Sequence, residues 1–266
     1  MEFLCLPGSF GNENTFKVQL GNHTTPRPRS SNHPLTNPPG PLITELQRTN
    51  TAHFHFTQGS ILTHPPPEFE SYFGPPPHYR FIQVRDDFMS TLRSLPKIRT
   101  REQAIHYLET GTKDDLAVQT SRAAVTAILE QIDQNASIQG LIGYSEGAAI
   151  AASVMIEEQR RKKETGRPVR IKCAVFISGW PAIDIRSGNC IVPSDEDGEE
   201  YIPVPTCHVI GAEDVFLEGS KVLYEICNGE NAEFFDHGGG HIIPRNARTL
   251  RELGDVIRAM VRDSLG

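Results

Sequence analysis

Gly143-Tyr144-Ser145-Glu146-Gly147 is the sharpest chemical signal in the chain. It fits G-x-S-x-G, with an apolar run (137–142) before it and an Ala-rich run (146–158) after it. That is the strand–turn–helix setting in which the motif presents a nucleophilic serine. Glycine on both flanks permits a sharp, strained turn that lifts Ser145 above the end of a sheet. The helix that follows aims its N-terminus at the reaction centre and leaves the N–H of Glu146 free to hold a developing oxyanion. A serine hydroxyl is a poor nucleophile unaided and needs a neighbouring base, itself oriented by an acid.

In proteins built on such an elbow the partners follow in the order Ser, Asp or Glu, His. His23, His33, His53, His55, His64, His78 and His106 all precede Ser145, and His208 sits inside a strand-like run before the best acid. His237 and His241 remain. His241 is preferred because Gly238-Gly239-Gly240 can curl back over a sheet edge and carry the imidazole to Ser145. His237, nearer the strand end, reads as a residue whose hydrogen bond stiffens that loop. Val209-Ile210-Gly211-Ala212-Glu213-Asp214 supplies two acids at a strand end. Asp214 is preferred because the Gly-x-x-Asp turn sends a short carboxylate inward, with Glu213 beside it as the alternative. Asp184 is a more distant one.

A second oxyanion donor is expected from the loop after the first strand, Pro7-Gly8-Ser9-Phe10: the backbone N–H of Ser9, with Phe10 next. Phe69, Tyr72 and Phe73, set between two Pro-Pro-Pro runs in an extended loop (64–77), either line a pocket or pack that loop down. Tyr144, Tyr72, Phe73 and Trp180 are the candidate substrate-pocket residues. His53-x-His55 has no evident third ligand. Gly8-x-x-Gly11 lacks the Lys-Ser/Thr of a phosphate loop and the later acid of a dinucleotide site. No metal or cofactor is expected.

Strands that alternate with helices must position these groups. Apolar or alternating runs at 3–6, 52–56, 137–142, 171–177, 207–210 and 232–235 read as strands. Helical patterns fall at 12–20 and 41–46, 86–95, 99–108, 116–132, 146–158, 216–226 and 245–265. The continuous apolar run 171–177 marks a strand buried on both faces. The expected fold is α/β, a doubly wound, mostly parallel sheet with helices on both faces. Residues 1–266 read as one domain, with a mobile insert at 22–40 interrupting a helical region. Partial lid or pocket elements are expected around 64–108 and 180–201.

Bulk properties narrow the function classes. The net charge of −7 argues against nucleic acid as a partner. The basic run Arg160-Arg161-Lys162-Lys163 is flanked by Glu157, Glu158 and Glu164 and reads as a solvated helix end. No apolar stretch approaches the ~18 residues that span a membrane. The start, Met1 to Leu6, lacks the charged n-region of a signal peptide. A cytoplasmic enzyme is expected. Five scattered cysteines form no CxxC pair and argue against a disulfide framework.

With these residues placed, the chain resembles the fungal serine hydrolase (FSH) family of the α/β-hydrolase superfamily. Within it, the likeness is strongest to hydrolases and thioesterases found with fungal polyketide synthases. The resemblance runs through Leu4-Cys5-Leu6-Pro7-Gly8, Tyr72-Phe73-Gly74-Pro75-Pro76-Pro77, Gly140 to Ala148, Phe176-Ile177-Ser178-Gly179, His208 to Asp214 and His237 to Pro244. The family's triad falls on Ser145, Asp214 and His241. Two departures stand out: Pro7-Gly8 where the family usually has His-Gly, and Glu146 where it commonly has Gln. An acid near the mouth is expected to disfavour anionic substrates. The resemblance implies the α/β-hydrolase fold and hydrolysis of an ester or thioester through an acyl-enzyme on Ser145. The substrate would be an acyl chain on a polyketide synthase carrier protein, or a free ester or lactone. The alternatives are a non-catalytic relative that binds a small molecule or escorts a synthase, and an acyltransferase with the same triad.

Overall fold

Short apolar runs with a two-residue period build the sheet, and each of its faces takes one set of side chains. A computed structural model describes residues 1–21, 42–67, 70–85, 98–193 and 201–266, without the side chains of Ser71 and Tyr72. The insert expected at 22–40, Phe69, the helix expected at 86–95 and the acidic stretch 195–200 lie outside the described residues. The strands are β1 (Glu2–Leu6), β2 (His53–Phe56), β3 (Ile61–Thr63), β4 (His78–Arg80), β5 (Ile138–Tyr144), β6 (Cys173–Ile177), β7 (Thr206–Ile210) and β8 (Ala232–Asp236). The helices are α1 (Glu13–Leu20), α2 (Leu42–Arg48), α3 (Glu70–Phe73), α4 (Arg101–Thr112), α5 (Asp115–Gln134), α6 (Glu146–Thr165), α7 (Leu217–Glu225) and α8 (Ala247–Asp263).

The main sheet has the order β2-β1-β5-β6-β7-β8, and every neighbouring pair is parallel. In β1, Phe3 and Cys5 enter one core while Leu4 and Leu6 enter the other. In β6, Cys173, Val175 and Ile177 share the first face, Ala174 and Phe176 the second. Both faces are thus covered, which is why these strands read as continuous apolar runs. Phe16, Leu20, Leu42, Leu46, Leu250, Leu253 and Ile257 of α1, α2 and α8 close the first core. Val125, Ile128, Ile132, Ile150, Val154 and Leu223 of α5, α6 and α7 close the second. This is the expected doubly wound α/β arrangement. Among the described residues no helix is long and apolar enough to cross a membrane.

Two local features depart from the expectation. Helix α6 runs on to Thr165, beyond the expected end at 158, and stops where Gly166 takes a left-handed φ of 74°. The basic run therefore lies within its last turns, and Arg160 grips Asp184 with both terminal guanidinium nitrogens (3.2 and 3.1 Å). The second is an antiparallel hairpin of β3 and β4, two strands not expected from the sequence, which brackets the proline-rich stretch 64–77. Each of its strands is three residues long, too short for a period to show.

His208 on β7 is 1% exposed. It packs against the rings of Phe176 and Tyr224, with Nε2 3.1 Å from the Thr206 hydroxyl. Burial pushes its imidazole down from 6.5 to about 3. Below pH 6.5 the unfolded chain binds a proton that the fold refuses. The stability this residue allows is therefore complete above that pH and declines as pH falls toward 3. The slope is at most about 1.4 kcal/mol per pH unit. Melting temperatures from about pH 7 down to about pH 4 should show the decline, and His208→Gln should flatten it. An unchanged slope in the variant would place the acid lability elsewhere.

Candidate active site

Ser145 sits between β5 and α6 with φ 53° and ψ −117°. A non-glycine residue held there costs on the order of 1–3 kcal/mol and persists only where its surroundings over-determine it. Its N–H donates to the Ile177 carbonyl (3.0 Å), and its own carbonyl accepts from the Ala148 N–H (3.0 Å). A Cβ on Gly147 would run into the carbonyl oxygens of Leu6 and Pro7. Glycine there lets the start of α6 abut the end of β1, which brings the first loop to the nucleophile.

Asp214 and His241 arrive on two turns that lock together. The Asp214 N–H donates to the Gly211 carbonyl (2.9 Å), closing the turn after β7. A Cβ on Gly211 would collide with the Gly239 carbonyl, and the Glu213 N–H donates to that same carbonyl (2.9 Å). The loop after β8 is thereby pinned against the acid turn. His241 Nδ1 lies 2.8 Å from Asp214 Oδ2, and Nε2 lies 3.0 Å from Ser145 Oγ. The Glu213 side chain is exposed, and Asp184 is engaged by Arg160. His237 Nδ1 accepts from the Gly239 N–H (3.3 Å), so that ring braces the glycine loop.

The surroundings favour a charged acid and a fixed imidazole. Asp214 is 1% exposed, and burial alone would raise its carboxyl. Hydrogen bonds with His241 and the Phe216 N–H, with the attraction of the imidazole, hold it below the usual carboxylate range instead. Tyr144 Oη donates to the His241 carbonyl (3.0 Å). The Tyr144 and Phe216 rings lie 5.5 and 5.3 Å from the imidazole.

The first loop separates the two oxyanion candidates. The Phe10 N–H is taken: it donates to the Tyr79 carbonyl (2.8 Å), alongside a bridge between Gly11 and Tyr79. Phe10 is therefore corrected as a donor, because pairing to β4 consumes its N–H. No acceptor among the described residues takes the Ser9 N–H. The Glu146 N–H stands in the first turn of α6, where no intrahelical acceptor exists. The Glu146 side chain is also corrected, since it is not an open acid at the mouth. It is 8% exposed, and its oxygens accept from the Ser9 hydroxyl (3.0 Å) and the N–H groups of Phe81 (3.3 Å) and Ile82 (3.0 Å).

Ser145 and His241 open onto a cavity of about 490 Å³. Phe10, Phe73, Ile82, Val84, Leu108, Trp180, Ile183 and Phe216 give it an almost wholly apolar wall, with Val215 and Ile242 at its exposed rim. Tyr144, Phe73 and Trp180 all line it, whereas the Tyr72 side chain lies outside the described residues. Phe73 packs on Phe10 at 5.0 Å and Trp180 on Phe216 at 5.0 Å. Residues of β4 and its exit fall within the stretch 64–108 expected to hold pocket elements, but none of them was singled out from the sequence. His78 Nδ1 lies 3.0 Å from the Phe10 carbonyl, and Arg80 and Ile82 reach the cavity. The alternation His78-Tyr79-Arg80 offered no apolar signal to find them by.

An elbow serine, a histidine after the last strand and an acid after the strand before it, above a parallel sheet, define a serine hydrolase of the α/β-hydrolase fold. The chain belongs to the serine hydrolase (FSH1) family, whose model matches residues 1–253. It is 24% identical to "Hydrolase phiM" of Talaromyces stipitatus over 94% of this chain and 83% of that protein. It is 30% identical to "Esterase FUS5" of Gibberella moniliformis over 47% of this chain and 48% of that one. Among solved structures, a single-substitution variant of Arabidopsis thaliana SOBER1 superposes with a TM-score of 0.53 at 13% identity, covering 100% of both chains. Esterase PE8 superposes with a TM-score of 0.51 at 13% identity, over 97% of this chain and 92% of that one. These two likenesses are to the fold.

Proposed function

We propose that this chain hydrolyses an uncharged, largely apolar acyl ester through an acyl-enzyme on Ser145. His241 serves as general base and then acid, and Asp214 holds the imidazole. The observation that carries this reading is the continuous Asp214–His241–Ser145 contact at the floor of an apolar cavity. Attack by Ser145 Oγ on the acyl carbonyl passes the hydroxyl proton to His241 Nε2. The resulting oxyanion is met by the N–H groups of Ser9 and Glu146, each worth ~10²–10³ in rate. The imidazolium returns its proton to the leaving oxygen, and water repeats the cycle on the acyl-enzyme. The names of the relatives, a hydrolase and an esterase, support an ester as the bond cleaved. An acyl thioester, including one on a polyketide synthase carrier protein, would follow the same steps.

A fluorophosphonate probe and a series of p-nitrophenyl and acyl-thioester substrates test the reading. Labelling of Ser145 is expected, with kcat/KM higher for neutral acyl groups than for acyl groups that end in a carboxylate. An unlabelled protein would leave a binding role instead. Product that forms only with an added alcohol would show acyl transfer.

A further inference from the structure

The Glu146 carboxylate has no place in the Asp214–His241–Ser145 contact, yet it is buried next to Ser145 and fully engaged. Oε2 accepts from the Ser9 hydroxyl (3.0 Å) and the Phe81 N–H (3.3 Å), and Oε1 from the Ile82 N–H (3.0 Å). Burial pushes the Glu146 carboxyl above the usual carboxylate range, and the charge of Arg80 and the three hydrogen bonds oppose that rise. These contacts join three separate pieces of chain: the start of α6, the loop after β1 and the exit of β4. One of them runs directly between Ser9 and Glu146, the two residues whose N–H groups the proposed function assigns to the oxyanion. The loop in question is irregular, with Phe10 at φ 67°. Its other ties to β4, through Tyr79 and His78, hold Phe10 rather than Ser9.

We infer that the Glu146 side chain is a positioning residue that sets the spacing of the oxyanion hole, clamping Ser9 so that the two N–H groups converge. The inference rests on the reading of Ser145 as the nucleophile. An oxyanion donor helps only when aimed at the place where charge develops, and misplacement by about 1 Å can cost ~10²-fold. A loosened Ser9 would bind the ground-state carbonyl almost as before and the oxyanion less well. The loss should therefore fall on kcat rather than KM. The carboxylate suits its three donors better than an amide would. In Glu146→Gln the NH₂ can face the Ser9 hydroxyl, which turns to accept, but it opposes the Phe81 N–H.

Ser9→Ala and Glu146→Ala each keep the backbone N–H and remove one end of the clamp. Each is expected to lower kcat by about 10- to 100-fold with KM within about 3-fold. Glu146→Gln should fall between wild type and Glu146→Ala. The double variant should be no slower than the slower single, because the contact that Ser9→Ala removes is already lost in Glu146→Ala. A boronic acid, whose tetrahedral adduct on Ser145 carries the oxyanion, should lose affinity by the same factor as kcat. Wild-type kcat in Ser9→Ala, or losses that multiply in the double variant, would overturn the inference. Ser9→Ala alone decides the matter if Glu146→Ala does not fold. Ser145→Ala separates the two levels. Turnover that survives it defeats the nucleophile reading, whereas turnover lost there but kept in Ser9→Ala defeats only the clamp.

Discussion

Ser145→Ala is expected to lower kcat by about 10⁶-fold, to near the residual catalysis that binding and the oxyanion hole alone provide. The size follows from what the hydroxyl does. Without Oγ no acyl-enzyme forms, and His241 has only water to activate, at a position the site was not built to hold. The effect on folding should be small. Among the described residues Oγ is hydrogen-bonded to His241 Nε2 alone, at 3.0 Å, and the backbone bonds to Ile177 and Ala148 survive the change. Alanine meets the same left-handed φ of 53° as serine, so the strain of the elbow is not relieved. The melting temperature should stay within about 3 °C of wild type. Turnover of a p-nitrophenyl ester, measured beside a thermal melt, checks both halves. Activity reduced by less than about 100-fold in a folded variant would remove Ser145 from the chemistry.

The parts of this site that were legible in the sequence are those fixed within a few residues. Ser145 needs only its strand, its two glycines and its helix, all contiguous from 137 to 158. Asp214 and Glu213 stand in the same turn, and what parts them is the approach of Gly211 to Gly239, residues brought together only by pairing of β7 with β8. The order of partners along the chain and the glycine run singled out His241, but its contact with Tyr144 Oη depends on β5. Ser9 and Phe10 could be told apart only in three dimensions, because the N–H of Phe10 is consumed by β4, a strand of three residues with no periodic signal. Glu146 was misplaced for the same reason. Its side chain looks like a solvated acid until the hairpin delivers the N–H groups of Phe81 and Ile82. Local chemistry was readable; the partners that a distant strand brings to it were not.

The same dependence on a fixed hydrogen bond makes Asp214→Asn the second large effect, a loss of about 10⁴-fold in kcat with little change in KM. Asp214 spends its two oxygens separately: Oδ1 accepts the Phe216 N–H at 2.8 Å and Oδ2 faces His241 Nδ1 at 2.8 Å. Asparagine has one acceptor. If its oxygen keeps the Phe216 N–H, its NH₂ confronts Nδ1 and can be satisfied only if that nitrogen is unprotonated. The neutral imidazole then carries its proton on Nε2, 3.0 Å from Ser145 Oγ, where it donates to the hydroxyl instead of taking its proton. The base is present but in the wrong tautomer. If the amide turns the other way, Nδ1–H is held but the NH₂ opposes the Phe216 N–H in a site 1% exposed, and the lost charge no longer stabilises the imidazolium. Both orientations slow the step that forms the acyl-enzyme. Glu213→Gln is the control: its side chain is exposed, so kcat should stay within about 3-fold. Steady-state kinetics on the two variants decide between the neighbouring acids. A loss confined to Glu213→Gln would give the role to Glu213, and a loss in Asp214→Asn that fell on KM alone would make Asp214 a shaping residue rather than the partner of His241.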